Sequence, residues 1–143
     1  MESETILTDT PDPAVRGALL DGLLAHNVAR LGPHGMRPLA VLARDSAPGA
    51  AAGGLWGRTS WGWLFVELLF VPEPLRGAGL GGELLRRAEE EAARRGCVGA
   101  WLDTFDPEAR HFYERRGYGV FGALEGYPAG HGRFFLRKAL APP

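Results

Sequence analysis

Before the most regular helical pattern in the chain stands Arg76-Gly77-Ala78-Gly79-Leu80-Gly81-Gly82, an arginine followed by four glycines in six positions. A helix N-terminus presents unpaired backbone N–H groups and about half a positive charge, and glycine allows a phosphate to approach that backbone closely. The segment is chemically a phosphate cradle. The plain alternative is a tight turn, which needs fewer glycines and no arginine. Two known phosphate-binding patterns can be set beside it. A P-loop requires Gly-Lys-Ser/Thr, and Gly82 is followed by Glu83, so that pattern is excluded. The dinucleotide fingerprint is met literally by Gly77, Gly79 and Gly82, with Asp103 about 20 residues further on. Against it, Pro72-Glu73-Pro74-Leu75-Arg76 separates the preceding strand from the first glycine, and the remaining chain is short for a doubly wound sheet.

The elements that position this cradle follow from periodicity. Asp12-Pro13 opens a helix with the stripe Val15, Leu19, Leu23 and Leu31, closed by Gly32-Pro33. Residues 38–44 and 52–58 read as strands around a turn at 45–49, with a hairpin turn near Thr59-Ser60. Trp61 to Val71 is the strongest strand, and its near-continuous apolar run predicts burial on both faces. Glu67 is the only charge within that run, where a buried carboxylate is costly without a partner or a task, and strand alternation puts it on the face of Leu69. Leu80 to Arg95 is helical, with Leu80, Leu84, Ala88 and Ala92 on one face, pairs Glu83/Arg87, Glu90/Arg94 and Glu91/Arg95 outside, and Gly96 at its end. A strand at 98–105, parallel to 61–71, a helix from Asp106-Pro107 to Gly117 and two final strands (118–124 and 133–137) complete the order. This is an α/β chain of 143 residues, expected to form a single domain over 1–143, with a mixed, mostly antiparallel sheet that splays between 61–71 and 98–105.

The cradle resembles the acyl-coenzyme A pyrophosphate loop of the GNAT superfamily of N-acetyltransferases, whose Arg/Gln-x-x-Gly-x-Gly/Ala pattern is met from Arg76 to Gly81. The order of elements is similar over nearly the whole chain, and His111-Phe112-Tyr113-Glu114-Arg115-Arg116-Gly117-Tyr118 looks like the Phe-Tyr-Glu-x-x-Gly-Phe/Tyr signature. Gly53-Gly54-Leu55-Trp56-Gly57, Gly62-Trp63-Leu64 and Leu102-Asp103-Thr104-Phe105 resemble a subgroup of small bacterial members of unassigned substrate. That subgroup often has Phe-Gln-Ala where this chain has Pro107-Glu108-Ala109. The resemblance implies the GNAT fold, acetyl-CoA as cosubstrate without a metal, and direct transfer of the acetyl group to a primary amine of a small molecule or protein. It also implies cofactor contacts at Arg76, Gly77, Ala78, Gly79, Leu80, Gly81 and Gly82, at Thr104 and Phe112, and along Leu69, Phe70 and Val71, with an oxyanion-binding bulge near Leu69 or Phe70. An amine of pKa near ~10.4 is mostly protonated at neutral pH, so a base is needed. Glu67 is the candidate; its alternatives are a salt bridge to an arginine or a solvent-facing position. Tyr113 matches the tyrosine that protonates the departing thiolate, its alternative being packing against the sheet.

Composition narrows the partners. Lys plus Arg (16) nearly cancels Asp plus Glu (17), which removes the basic field that nucleic acid or an anionic membrane requires. One cysteine excludes an internal disulfide and fits a reducing, cytoplasmic location. Cys97 reads as a small buried hydrophobe, and His26, His34, His111 and His131 are too scattered to read as a metal site. Trp56, Trp61 and Trp63 either line an acceptor pocket or pack across strands. The loops at 26–37 and 125–132 are expected to rim the acceptor side. A homodimer is compatible with this reading. A second class, a GNAT-fold module that binds acetyl-CoA without turnover, differs from it chiefly by not needing Glu67 and Tyr113.

Overall fold

The computed structural model describes residues 2–44 and 53–143, so the expected turn at 45–49 and the start of the expected strand at 52 lie outside the described residues. The chain divides into one unit ending at His34 and a second, Gly35–Pro143. In the first, α1 (Pro13–Leu31) starts where Asp12 accepts a hydrogen bond from the Ala14 N–H at 2.9 Å, and it ends at Gly32, whose N–H reaches the Val28 carbonyl.

The second unit is built on six strands, β1 (Arg37–Leu42), β2 (Gly54–Ser60), β3 (Trp63–Phe70), β4 (Gly99–Thr104), β5 (Gly119–Glu125) and β6 (Gly132–Ala139), in the order β1-β2-β3-β4-β6-β5. Every neighbouring pair is antiparallel except β3 with β4. A single parallel pair cannot make a doubly wound sheet, and the dinucleotide reading falls with it. Between β3 and β4 runs α2 (Leu80–Arg94), which buries Leu84, Leu85, Ala88, Ala92 and Ala93 against the β1–β3 side of the sheet. Its end is tied down by Arg95, which donates to Thr59 Oγ1 at 3.1 Å and to the Pro38 carbonyl at 3.0 Å. Of the surface pairs expected on α2, Glu91–Arg95 forms at 2.9 Å, whereas Glu90 pairs with Arg86 one turn earlier. Between β4 and β5 lies α3 (Pro107–Glu114), capped by Asp106 through the Glu108 N–H. Leu55, Leu64, Leu102 and Leu136 from four strands meet Leu84 and Leu85 in the centre of the core.

Four expectations about β3 need correction. The hairpin turn is at Trp61-Gly62, not at Thr59-Ser60, because Thr59 and Ser60 still pair with Leu64 and Trp63. Trp61 (φ 46°) and Gly62 (φ 77°) supply the two left-handed residues of a tight hairpin. The bulge lies at Glu67, not near Leu69 or Phe70: Gly57 pairs with Val66 and Trp56 with Leu68, which leaves Glu67 as the extra residue. Glycine is required at 57, since a Cβ there would run into the Phe65 carbonyl. The bulge also reverses the strand's parity. Leu64 and Val66 face the core before it, and Leu69 and Val71 after it, so Glu67 does not share a face with Leu69. Nor is the strand covered on both sides along its length, since Leu68 and Phe70 are exposed where β4 has departed.

Candidate active site

The departure of β4 makes the site. Only Trp63–Phe65 pair with Gly99–Trp101; beyond them the strands separate, opening a cleft of about 790 Å³ between the far half of β3, the start of α2, the end of β4 and α3. Phe65 and Trp101 stack at the fork, ring centroids 4.1 Å apart. Strand separation leaves the β4-facing backbone groups of 69–71 without a ladder, and an extended ligand can complete such an edge.

At one end of the cleft the chain turns from β3 into α2. Pro72 stops the strand, Glu73–Leu75 makes a single 3-10 turn, and Arg76 Nε donates back to the Val71 carbonyl at 2.8 Å. Gly77 (φ 87°) and Gly79 (φ 81°) take left-handed backbone that other residues resist, and Gly79 is the N-cap of α2 without any side-chain cap. The first N–H groups of α2 are therefore available to a ligand. Gly81 faces Phe112: a Cβ on it would lie 3.3 Å from the phenyl ring and 3.6 Å from Val71 Cγ2. An uncapped, glycine-lined helix start with a full turn of open N–H groups fits a pyrophosphate. Of the residues expected to bind the cofactor, Leu69, Phe70, Val71, Arg76, Gly77, Gly79, Leu80, Gly81, Gly82, Thr104 and Phe112 all line this cleft, and Ala78 does not.

Both expected catalytic side chains line it as well. Glu67 is not a buried carboxylate: it sits at the bulge, open to solvent, in an ion pair with Arg58, whose guanidinium also lies 4.9 Å from the Phe65 ring centre. Tyr113 is buried by Phe112 and Tyr118, with ring centres 5.2 and 5.8 Å away in edge-on contact. Burial, and secondarily the charge of Asp103, push its phenol up to about 12. It stays protonated throughout the neutral range and is a proton holder, not a base. Tyr118 behind it is structural: it donates to Glu89 at 2.6 Å, and the same carboxylate receives Lys138 at 2.8 Å.

The structure adds residues that sequence reasoning did not place here. Asp103, weighed only as a dinucleotide acid, reaches the cleft from β4 and pairs with Arg133 of β6 at 2.7 Å. That arginine also lies over the rings of Phe105 and Phe135, 5.0 and 5.3 Å from their centres. The alternation of β4 was the available signal, since Ala100 and Leu102 are buried and the residues between them face away. Arg116 also enters the wall, from just beyond α3. Trp56, Trp61 and Trp63 do not line the cleft; Trp63 instead covers Gly99, where a Cβ would lie 2.5 Å from the indole. Cys97 is buried and its thiol is pushed up by that burial. No described helix is long and apolar enough to cross a membrane.

Comparison with known proteins agrees with this geometry. The model of the acetyltransferase (GNAT) family matches residues 11–118. The acetyltransferase Atu2258 of Agrobacterium fabrum is 43% identical over 133 residues, which is 93% of this chain and 96% of that protein. Blasticidin-S acetyltransferase of Streptomyces morookaense is 43% identical over 107 residues, 73% of this chain and 79% of that one. The crystal structure of an acetyltransferase from Agrobacterium tumefaciens superposes with a TM-score of 0.91 at 41% identity, covering 96% of this chain and all of that one.

Proposed function

The chain belongs to the acetyltransferase (GNAT) family, and from that premise we infer how the cleft divides the work of an acetyl-CoA-dependent N-acetyltransferase. The observation that carries the reading is the uncapped, glycine-lined start of α2 opening onto the gap between β3 and β4. Acetyl-CoA supplies an activated acetyl thioester; the remaining chemistry is positioning and proton movement. The N–H groups from Gly77 to Gly82 hold the pyrophosphate, and the edge of Leu69–Val71 that no strand covers, its Val71 carbonyl already taken by Arg76, aligns the extended pantetheine arm. Tyr113, protonated at its Oη, donates toward the sulfur as charge develops there.

Glu67 acts from the opposite side. Its carboxylate is oriented by Arg58 and open to solvent, which suits proton removal from the incoming ammonium through a water rather than direct contact. The acceptor in this reading is a primary amine, delivered past the exposed Leu68 and Phe70. The combination of a protonated phenol and an exposed carboxylate on one cleft is redundant in a module that only binds acetyl-CoA, and it weighs against that second reading.

The test is a panel of amines, with blasticidin S as its first compound because one relative is named for it, assayed by release of free thiol from acetyl-CoA. At least one amine is expected to release thiol in proportion to acetylated product. Tight acetyl-CoA binding with no thiol release across small amines, peptide N-termini and lysyl peptides would contradict catalysis.

A further inference from the structure

Gly82 is the cradle residue least explained by phosphate approach, because its missing side chain makes room for a protein group. A Cβ at 82 would lie 2.7 Å from Nη2 and 3.0 Å from Nε of Arg116. The guanidinium is fixed against the first turn of α2 from two other directions: Nη1 donates to the Phe112 carbonyl at 3.0 Å, and Cζ lies over the Phe112 ring, 3.7 Å from its centre. Phe112 is the same ring that faces Gly81. Two neighbouring glycines of α2 and one aromatic of α3 thus frame an arginine half-buried in the cleft wall.

We propose that Arg116 is a phosphate-binding residue of the coenzyme A cleft, a full cation placed beside the partial charge of the α2 N-terminus. Among the described residues it forms no ion pair with a carboxylate, unlike Arg58 and Arg133. The hydrogen bond to Phe112 uses one of five N–H donors, and the fork geometry of the rest suits phosphate oxygens. Arg76, the arginine of the cradle sequence itself, spends its Nε on the Val71 carbonyl and serves first to turn the chain. The division is therefore between an arginine that shapes the loop and one that adds charge to it. The proposal rests on the coenzyme A reading above and assigns Arg116 to either the pyrophosphate or the 3′-phosphate, the two sources of the same chemistry.

The experiment is calorimetric titration of the full chain and of Arg116→Met with coenzyme A and with dephospho-coenzyme A, at low and high salt. Methionine keeps an apolar stem against Phe112 and removes the charge. Arg116 acting on a phosphate predicts about tenfold or greater weakening of coenzyme A binding at low salt, a loss that shrinks at high salt. An equal loss on dephospho-coenzyme A assigns the pyrophosphate; a loss confined to coenzyme A assigns the 3′-phosphate. Wild-type affinity in Arg116→Met overturns the proposal, whereas failure of the wild type to bind coenzyme A overturns the cofactor reading itself. Arg116→Lys keeps charge without the fork and is expected to fall between the two, so a poorly folded methionine variant does not remove the test; wild-type affinity for Arg116→Met together with a loss in Arg116→Lys would also overturn a charge role.

Discussion

Up to Phe65, β3 lies between β2 and β4, and Leu64 and Val66 on its near half are 0% and 4% exposed; beyond Glu67 it keeps β2, has lost β4, and leaves Leu68 and Phe70 65% and 59% exposed. The two halves are equally apolar, so hydrophobicity does not distinguish them. Facing does. Leu64 and Val66 point to the core, as Leu69 and Val71 do beyond the bulge, whereas Leu68 and Phe70 point to the opposite side, which is uncovered where β4 has left. A bulge marks the border and gives its extra position to the only charge in the strand, which is how a carboxylate is tolerated in an otherwise apolar run.

The comparison breaks first in stability. Leu64→Ala removes a fully buried side chain and is expected to cost about 2–5 kcal/mol in chemical denaturation, whereas Leu68→Ala should stay within about 0.5 kcal/mol. Equal losses would mean that the far half is core as well. Leu68→Ala should instead weaken acetyl-CoA or acceptor binding, a readout that Leu64 influences only through folding.

Next in size is Tyr113→Phe, expected to lower kcat by about 10²-fold with little change in acetyl-CoA affinity. Because the phenol is pushed up to about 12, its proton is retained up to that range, and wild-type kcat should show no fall from Tyr113 ionisation between neutral pH and about pH 11. Linkage gives a companion sign. The native phenol holds its proton more firmly than the unfolded one, so this contribution to stability is complete below pH 10 and declines as pH rises from there toward 12. Alkaline melting of Tyr113→Phe should accordingly begin at higher pH than that of wild type. An unchanged turnover in Tyr113→Phe would reduce the residue to packing between Phe112 and Tyr118.

A smaller effect sharpens the role of the border residue. Glu67→Gln keeps shape and loses the charge that Arg58 holds, and about tenfold loss of kcat/KM is expected near neutral pH. That loss should shrink as pH approaches the amine's own pKa near ~10.4, where free amine no longer depends on a base. A deficit constant across pH would mark Glu67 as a purely structural partner of Arg58.

What the residues disclosed in advance differs along the same border. The cradle was legible because its requirements are local: left-handed backbone at Gly77 and Gly79, an uncapped helix start, and a long apolar stripe behind it. So were α2 and the order of strands around it. The bulge at Glu67 was not, because a register shift is a relation between two strands and nothing in 61–71 alone says where β2 slips; without it, alternation assigned Glu67 to the wrong face. The exposure of Leu68 and Phe70 was illegible for the same reason, since an apolar run reads alike whether it waits for a core or for a ligand. Arg116 is not legible in the sequence because Gly82 reads as one more phosphate glycine; only the fold packs a side chain against it.

Gly81→Glu tests the central claim most directly, by placing a side chain and a negative charge between the first turn of α2 and Phe112. Calorimetry with coenzyme A is expected to show micromolar or tighter binding to wild type and at least a hundredfold loss in the variant, with a native circular dichroism spectrum and no binding of NAD to either. Coenzyme A binding to Gly81→Glu with wild-type affinity would contradict it.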